Sequence, residues 1–438
     1  RDDVESRGLG DVYKRQVLHL CKTLNCHKNG GKTMVIREYS KVELVFSSSE
    51  SEAVKIALVN LRRDLIRTLD CSVTAGGIIR ILVGTVGNLP ELDEKADISK
   101  LRAEDGTYRK EAFLIQEKDG ELLIVGTDRR GTIYGIYDFC EWLGVSPWYF
   151  FADVPVRRRS EAVIENGYCK VDYPSVEYRG IFINDEEELE HWVWRYMGET
   201  TIGVKTYEKI FELLLRLKLN YIWPAMHVNS FNLKQENGAL ANRMGIVVGT
   251  SHCDMLMRSN NREWKPWLAK KGYTDVEYDF SIPGRNREIL KEYWRESVEQ
   301  NRDFEVSYTV GMRGIHDSGF ETKSLEGLTG EKLLKAKIEL LESVMAAQQE
   351  ILSETLDTEP MKTFVPYKEV LELYDNGLKV PEDLTLIWTN DNYGYVRRYP
   401  GEKEKARKSG NGIYYHNSYW APPGASYLFI CSIPMSHT

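Results

Sequence analysis

Residues 211–232 have the sequence FELLLRLKLNYIWPAMHVNSFN, which contains the end of one helix and the whole of the strand after it. Tyr207, Leu214 and Leu217 are spaced by seven and three residues, as on the apolar side of an amphipathic helix. The apolar run Tyr221–Ala225 then predicts a short buried strand, and polar residues follow where that strand ends. A helix and a strand of this kind bury their apolar surfaces against each other, so the stretch predicts an α/β fold.

The same alternation continues through the second half of the chain, with amphipathic helices between several of the strands. The predicted strands are Tyr178–Ile183, Tyr221–Ala225, Ile246–Gly249, Val306–Val310, Lys362–Pro366, Leu384–Trp388 and Ile413–Tyr415. Seven strands in about 240 residues favour a (β/α)8 TIM-type barrel. A doubly wound sheet stays open as the alternative, although no Gly-rich first turn supports it.

The predicted barrel is incomplete, because no eighth strand follows the seventh. An open barrel leaves two strand edges without hydrogen-bonding partners, which promotes aggregation. We therefore expect residues 173–438 to form a catalytic barrel truncated before strand 8, and we expect this chain by itself to be unstable and poorly active.

A smaller α/β domain is predicted for residues 34–172. Its predicted elements are a strand at Val42–Phe46, a helix at Glu52–Leu69, a strand at Ile78–Val83, a hairpin of Glu111–Gln116 with Glu121–Gly126 around Asp119-Gly120, and a helix through Ile133–Leu143. Residues 1–33 lack an apolar period and precede the first methionine, Met34, so they are expected to be a non-native or disordered leader. No apolar signal segment follows Met34, which predicts a cytoplasmic protein.

Composition narrows the class of function. The 438 residues contain 58 Lys and Arg against 66 Asp and Glu, and this net charge of -8 argues against nucleic-acid binding. No apolar run approaches the roughly 18 to 20 residues of a membrane span. The 25 tyrosines and 10 tryptophans favour a glycan ligand, since sugars stack on aromatic rings. Seven scattered cysteines do not form a disulfide pattern and are expected to be reduced.

Polar residues follow every predicted strand of the barrel. They are Asn184–Glu187, His227, Asn229, Ser251, His252, Arg313–Asp317, Tyr367–Glu369, Asn390–Tyr393, His416 and Ser418–Trp420. Any one of these is more often a helix cap or a hydrogen-bonded structural residue than a catalytic one. Since the carboxyl ends of barrel strands meet at one face, their convergence predicts an active site there.

Two chemistries fit this set of residues. Cleavage of a glycosidic bond needs a carboxylic acid and a carboxylate, which Asp317 and Glu369 can supply. Metal-assisted hydrolysis needs several histidine and carboxylate ligands. The candidate ligands are His227, His252, His316, His416 and Asp317. The metal hypothesis is the weaker one, because no HExxH or HxH signature is present.

Eight segments, in order along the chain, resemble glycoside hydrolase family 115, the xylan α-1,2-glucuronidases. They are GTDRRGTIYGIYDFCEWLGVSPWYFFADVP (126–155), YRGIFINDEE (178–187), FELLLRLKLNYIWPAMHVNSFN (211–232), MGIVVGTSH (244–252), VGMRGIHD (310–317), FVPYKEV (364–370), WTNDNYGYVRR (388–398) and YYHNSYWAPP (414–423). The resemblance implies an inverting hydrolase that removes (4-O-methyl-)glucuronic acid from glucuronoxylan without a cofactor or metal. It also implies a homodimeric full-length protein.

The resemblance implies roles for particular residues. Glu369 would be the general acid and Asp317 the candidate base, while the fork of Arg313 would suit the carboxylate of the uronic acid. The other positions that match residues around the sugar are Glu186, Asn392, His416 and Tyr419. Position at the strand ends adds Asp185, His227, His252 and Asp391 as substrate-binding candidates.

Two departures from the family pattern bear on activity. Cys253 and Asp254 stand where the family has histidine and glutamate, and Asn390 stands where it usually has aspartate. The second change removes a charge next to the predicted site, which leaves the assignment of the base open. A glycan-binding but inactive protein is therefore kept as an alternative.

Overall fold

The computed structural model describes residues 33–184, 186–315, 318–391 and 395–416, together with the backbone of two short strands at 418–419 and 428–429. These residues form two compact units that divide between Ser175 and Val176. The predicted leader, apart from Thr33, lies outside the described residues. Among the helices of the described residues, none is both long and apolar enough to cross a membrane.

The first unit is an α/β domain. Its strands are β1 (Met34–Arg37), β2 (Lys41–Val45), β3 (Ser72–Val73), β4 (Ile79–Thr85), β5 (Phe113–Lys118), β6 (Glu121–Gly126), β7 (Glu161–Ile164) and β8 (Cys169–Asp172). Its α-helices are α1 (Glu52–Leu69), α2 (Pro90–Lys95) and α3 (Arg129–Leu143). The predicted strands, hairpin and long helices are confirmed, with bounds that move by at most four residues.

Six strands of this unit form one sheet in the order β3-β2-β4-β6-β5-β8, and β1 pairs with β7 separately. β5 and β6 form the predicted antiparallel hairpin, whose turn holds Asp119 at φ +55° and Gly120 at φ +82°. Helix α3 begins where Asp128 accepts hydrogen bonds from the amides of Arg130 and Gly131, each at 2.9 Å.

The second unit contains the repeated strand and helix pattern. Its strands are β9 (Gly180–Phe182), β10 (Tyr221–Trp223), β11 (Val247–Val248), β12 (Ser307–Thr309), β13 (Met361–Phe364), β14 (Thr385–Thr389), β15 (Asn411–Tyr414), β16 (Ser418–Tyr419) and β17 (Leu428–Phe429). Its α-helices are α4 (Glu187–Trp192), α5 (Val204–Arg216), α6 (Gln235–Met244), α7 (Asn260–Lys271), α8 (Arg285–Asn301), α9 (Gly330–Thr355), α10 (Glu369–Asp375) and α11 (Glu402–Lys405). Each of the seven predicted strands is present, and several are shorter than predicted.

Strands β9 to β15 pair in chain order and all run parallel. One ladder joins β9, β10 and β11, a second joins β12 through β15, and a parallel bridge between Val248 and Val306 connects the two. The doubly wound alternative is wrong, because that fold reverses its strand order part-way through the sheet.

Aromatic side chains from both ends of this strand array meet in its interior. The ring of Phe182 on β9 lies 5.5 Å from that of Tyr414 on β15, and Trp223 on β10 lies 5.1 Å from Tyr414. The array therefore curves until its first and last strands share a core. Within the described residues, however, no backbone ladder joins β9 to β15, so a curved parallel array is observed and a closed barrel is not.

We predict that Gly180→Ala weakens the edge of this array. A Cβ atom at Gly180 would lie 2.0 Å from the carbonyl oxygen of Tyr221 in the paired strand, so β9 must shift away from β10. We expect a loss of about 1 to 3 kcal/mol in the free energy of unfolding, measured by urea denaturation. Gly319→Ala is the control, because its Cβ meets no described atom within 4 Å. Equal stability of the two variants would contradict this packing.

Candidate active site

Five consecutive strands, β11 to β15, deliver side chains to one end of the array. They contribute His252 after β11, Arg313 after β12, Tyr367 and Glu369 after β13, Asn390 after β14, and Tyr414 and His416 at the end of β15. These are carboxyl ends of parallel strands, where α/β proteins place their ligand sites. The predicted convergence is therefore observed for His252, Arg313, Tyr367, Glu369, Asn390 and His416.

A bidentate ion pair joins two of the predicted site residues. Nε of Arg313 lies 2.9 Å from Oε1 of Glu369, and an Nη of the same guanidinium lies 2.9 Å from Oε2. The Arg313 side chain is 3% exposed and that of Glu369 is 25% exposed. Glu369 is thus the more exposed partner, and both of its oxygens act as acceptors.

Backbone hydrogen bonds to a buried glutamine hold the segment that carries Arg313. The side chain of Gln348, on helix α9, accepts from the amide of Gly311 and donates to its carbonyl, both at 2.8 Å. Gly311 has φ +130°, a conformation that favours glycine, and Gln348 is fully buried. This clamp fixes the chain two residues before Arg313 and so sets the position of the guanidinium.

An unusual backbone conformation sets the position of Glu369. Lys368 has φ +50° and ψ −123°, outside the regions that residues with a side chain normally occupy. It ends the extended chain after β13, and helix α10 begins at the next residue, Glu369. Strain of this kind costs about 1 to 3 kcal/mol and is concentrated at functional sites. Here it turns the chain so that Glu369 meets Arg313.

Four rings, His252, Tyr367, Tyr414 and His416, form what we call the ring cluster. The centroid of His252 lies 4.3 Å from that of Tyr367, and the centroid of Tyr414 lies 4.4 Å from that of His416. The guanidinium carbon of Arg313 lies 5.8 Å from the Tyr367 centroid, so the cluster adjoins the ion pair. His252 and Tyr367 are buried, whereas Tyr414 and His416 are partly exposed, so the last two rings are the ones that a ligand could contact.

Asn390 holds His416 in one tautomer. Its Oδ1 accepts a hydrogen bond from the His416 amide at 2.9 Å and lies 2.9 Å from His416 Nδ1, while its Nδ2 donates to the His416 carbonyl at 3.3 Å. Because the backbone groups fix which end of the amide is oxygen, His416 Nδ1 must carry hydrogen and Nε2 must be an acceptor. Where the family usually has an aspartate, this chain thus has a neutral side chain whose hydrogen bonds position His416.

The two histidines are held neutral. Burial, together with smaller contributions from the cations of Arg313 and Lys368, lowers the pKa of His252 to about 3. Burial also lowers the pKa of His416 to about 4, with smaller contributions from His252 and Lys368. The pKa of Lys368 is itself lowered by burial and by Arg313. Both imidazoles are therefore uncharged at neutral pH, and the site's described cations are Arg313 and Lys368.

Burial disfavours a negative charge on the two residues that depart from the family pattern after His252. It raises the pKa of Cys253 to about 12, so the thiol stays protonated. It also raises the pKa of Asp254 well above its usual range, and the neighbouring Glu263 carboxylate adds to this.

Glu186 has a structural environment. It is 1% exposed and accepts hydrogen bonds from the amides of His227, Val228 and Asn229 at 2.6, 3.0 and 2.8 Å. The side-chain amide of Asn229 donates a fourth at 2.9 Å. These donors use both carboxylate oxygens to shape the loop after β10, so Glu186 does not face a ligand.

Only some of the other candidate residues lie within the described part of the chain. Asp391 accepts from the amide of Tyr395 at 3.0 Å and pairs with Arg397, so it stabilises its own loop. His227 accepts at its backbone carbonyl from Asn261 at 3.2 Å, and its amide binds Glu186. The remaining predicted site residues and one predicted metal ligand lie outside the described residues; they are Asp185, His316, Asp317, Asn392 and the side chain of Tyr419. The pairing of Asp317 with Glu369 stays a prediction.

Among the residues that the structure describes, no three histidine, cysteine, aspartate or glutamate side chains are close enough to hold a metal ion. Four of the seven cysteines are described, and these four are thiols that form no disulfide; they are Cys71, Cys140, Cys169 and Cys253.

Comparison with known proteins identifies the family. The sequence model of glycosyl hydrolase family 115 matches residues 171–438, well over half of the chain. The chain belongs to glycosyl hydrolase family 115. No curated protein matches it significantly.

Among solved structures, one family 115 protein is similar throughout. It is described as a 4-O-methyl-α-glucuronidase with specificity for decorated arabinogalactans, and it is 36% identical with a TM-score of 0.78. The match covers 89% of this chain and 50% of that protein, so this chain spans half the length of its relative. A Streptomyces plicatus β-hexosaminidase, 14% identical over 88% of this chain and 72% of its own, has a TM-score of 0.48, too low to carry an argument.

Three contributors to the site were given no role of their own from the sequence, although Lys368 lay within the polar run Tyr367–Glu369 that was predicted to converge there. Tyr414 belongs to the ring cluster, Gln348 clamps the segment before Arg313, and Lys368 turns the chain before Glu369. Tyr414 could have been found, since it lies two residues before His416 and a strand places such residues on one face. The other two depend on long-range packing and on backbone conformation, for which the sequence gives no signal.

We predict that Glu186→Gln destabilises the second unit. A glutamine offers one acceptor oxygen, and its NH2 group would face backbone amides that are themselves donors. We expect a loss of about 2 to 4 kcal/mol in the free energy of unfolding, measured by urea denaturation. Glu187→Gln changes the exposed neighbour and should leave stability unchanged. A Glu186→Gln protein as stable as the control would show that the loop does not need the carboxylate.

We also predict that acid destabilises the second unit through His252 and His416. Because their folded pKa values lie below the ordinary value of 6.5, the unfolded chain binds more protons, and stability falls as the pH drops from about 6.5 towards 4. His252→Gln should reduce the stability difference between pH 7 and pH 4.5 by about 2 kcal/mol. His191→Gln, at an exposed histidine, should not change it. Thermal unfolding at both pH values measures this, and equal pH dependence in both variants would contradict it.

Proposed function

We propose that this chain carries the catalytic site of an α-glucuronidase, which hydrolyses the α-1,2 bond between (4-O-methyl-)glucuronic acid and a polysaccharide. The observation that carries the proposal is the bidentate Arg313–Glu369 pair beside the ring cluster. It provides a cation for a uronate, a carboxyl group for acid catalysis and aromatic surface for a sugar. Family membership and the activity named for the 36% identical structure support the same proposal.

Glucuronoxylan is the substrate that we propose, on the basis of the motif resemblance. The similar structure is described as specific for decorated arabinogalactans, so such polymers are the second substrate to test. The two proposed substrates share one chemical feature, an acidic sugar attached as a side chain. Among the described residues, Arg313 is suited to bind the carboxylate of that sugar. The two polymers can be separated only by assay.

The proposed reaction is an inverting hydrolysis. Glu369, in its protonated form, gives its proton to the glycosidic oxygen as the bond from that oxygen to the anomeric carbon breaks. A water molecule attacks the anomeric carbon from the opposite face and transfers a proton to a second carboxylate. By resemblance that base is Asp317, and inversion requires the two carboxyl groups to lie about 6.5 to 9.5 Å apart.

We infer that strands β9 to β15 form the wall of a (β/α)8 barrel. An eighth strand would lie between β15 and β9, where Tyr414 and Phe182 contact each other across the interior. The predicted position of active residues at the carboxyl ends of barrel strands supports the inference. A homodimer of the full-length protein stays an expectation from the resemblance.

A glycan-binding protein without activity is the second candidate, and Asn390 favours it. The family usually has an aspartate here, and in this chain the asparagine oxygen is used to hold His416. If that aspartate took part in activating water, its replacement would abolish turnover and leave sugar binding intact. Binding of glucuronoxylo-oligosaccharides without release of uronic acid would support this candidate and contradict the proposed hydrolase.

We predict that Glu369→Gln in the full-length protein lowers release of uronic acid from glucuronoxylan by roughly 10²- to 10⁴-fold, because the amide cannot donate the acid proton. Chromatography of the released acid measures this. Glu372→Gln removes an exposed carboxylate from the same helix, α10, and should keep activity. Turnover by Glu369→Gln equal to that of Glu372→Gln would remove Glu369 from the acid role. The same assay on arabinogalactan tests the second substrate.

A further inference from the structure

Two roles assigned to the Arg313–Glu369 pair conflict in the structure as it stands. If Arg313 binds a uronate that enters from solvent, it must use the Nε and Nη edge that both oxygens of Glu369 now occupy, because its other Nη is buried. If Glu369 is the general acid, one of its oxygens must carry a proton, yet both oxygens accept hydrogen bonds from the guanidinium. Both roles can hold only if the pair separates during the reaction.

We propose that the carboxylate of the substrate displaces Glu369 from Arg313, and that Glu369 then takes up a proton from solvent and becomes the acid. This proposal rests on the proposed function and adds to it how Glu369 acquires the proton that it donates. The uronate would be bound by the cation and would also generate the catalytic proton donor. We call this step carboxylate exchange.

Burial determines which of the two partners can move. Arg313 is 3% exposed, and the Gln348 clamp holds the chain two residues before it. Glu369 is 25% exposed and is the first residue of the short helix α10, so its side chain can swing towards solvent. A substrate carboxylate that approaches from solvent meets Glu369 first and reaches the guanidinium only by replacing it.

The charged groups that face Glu369 explain why it would take up a proton after displacement. Among the described residues these are the cations of Arg313 and Lys368, while His252 is neutral and Tyr367 is a neutral phenol whose pKa is raised by burial. A bound uronate would add a second carboxylate beside one buried guanidinium. Keeping both carboxylates ionised in such a site costs free energy, so protonation of one of them is favoured. Proton uptake by the displaced Glu369 restores the original charge.

Carboxylate exchange would also select the substrate. A neutral hexoside has no group that competes for the guanidinium, so Glu369 would stay ionised and paired even if the sugar occupied the ring cluster. Discrimination between a uronide and a hexoside would then appear in the catalytic rate as well as in binding, because only the uronide produces the acid.

Calorimetric titration of D-glucuronic acid into this chain tests the proposal. At pH 7 the binding heats in phosphate and in Tris, whose ionisation enthalpies differ, give the number of protons that binding takes up. We expect about one proton per glucuronate and an affinity that falls by about tenfold per pH unit as the pH rises. D-glucose, which lacks the carboxylate, should show no proton uptake.

Variants identify the group that takes up the proton. Glu369→Gln should bind D-glucuronic acid with no proton uptake and with an affinity that no longer depends on pH. The matched control is Glu212→Gln, which removes the carboxylate of another buried arginine pair, with Arg216 at 3.0 Å. This control should keep the uptake of the unmodified protein.

The possible results distinguish a failure of carboxylate exchange from a failure of the proposed function. Binding of D-glucuronic acid without proton uptake would overturn the exchange and leave the proposed function standing. Proton uptake that persists in Glu369→Gln would also overturn the exchange, because another group would then be the acceptor. No binding of D-glucuronic acid to the folded protein would overturn both.

Discussion

The ion pair between Arg313 and Glu369 is the interaction on which the site depends. An arginine that is almost fully buried needs a counter-charge, and the bidentate contact supplies one at the end of two neighbouring strands. The surrounding structure is arranged to make this contact possible. Gln348 fixes the backbone before Arg313, and the strained Lys368 turns the chain so that Glu369 follows.

The ring cluster gives the site its second property, a set of neutral polar groups beside two cations. Burial removes the charge of His252 and His416, and Asn390 determines which nitrogen of His416 carries hydrogen. The positive charge of the site therefore comes from the described cations, Arg313 and Lys368, and not from imidazolium groups. This charge, beside the partly exposed rings of Tyr414 and His416, suits an acidic sugar.

Much of the architecture could be predicted from the sequence, because period and burial are local signals. The seven apolar runs gave seven parallel strands, and the helix from Glu52 to Leu69 has the predicted bounds. Barrel closure could not be tested on the described residues, and its best support is the contact between Phe182 and Tyr414. The alternating pattern predicts parallel strands but does not tell whether the first strand meets the last.

For the site, the sequence identified which residues take part, but it did not predict which of them contact each other. It identified Arg313 and Glu369 but not that they bind each other, because a pair across two strands is a property of the folded chain. Glu186 was expected at the sugar, yet its carboxylate is used by three backbone amides that no motif reveals. Asn390 looked like the loss of a charge, and only the structure shows the hydrogen bonds to His416.

In carboxylate exchange one guanidinium serves two carboxylates in turn, and a crystal structure of this chain with D-glucuronic acid bound tests this most directly. We expect the uronate to occupy the Arg313 fork with both oxygens at about 2.9 Å, and Glu369 to have moved away to face the anomeric oxygen. A bound sugar beside an intact Arg313–Glu369 pair, with its carboxylate held by other groups, would contradict carboxylate exchange.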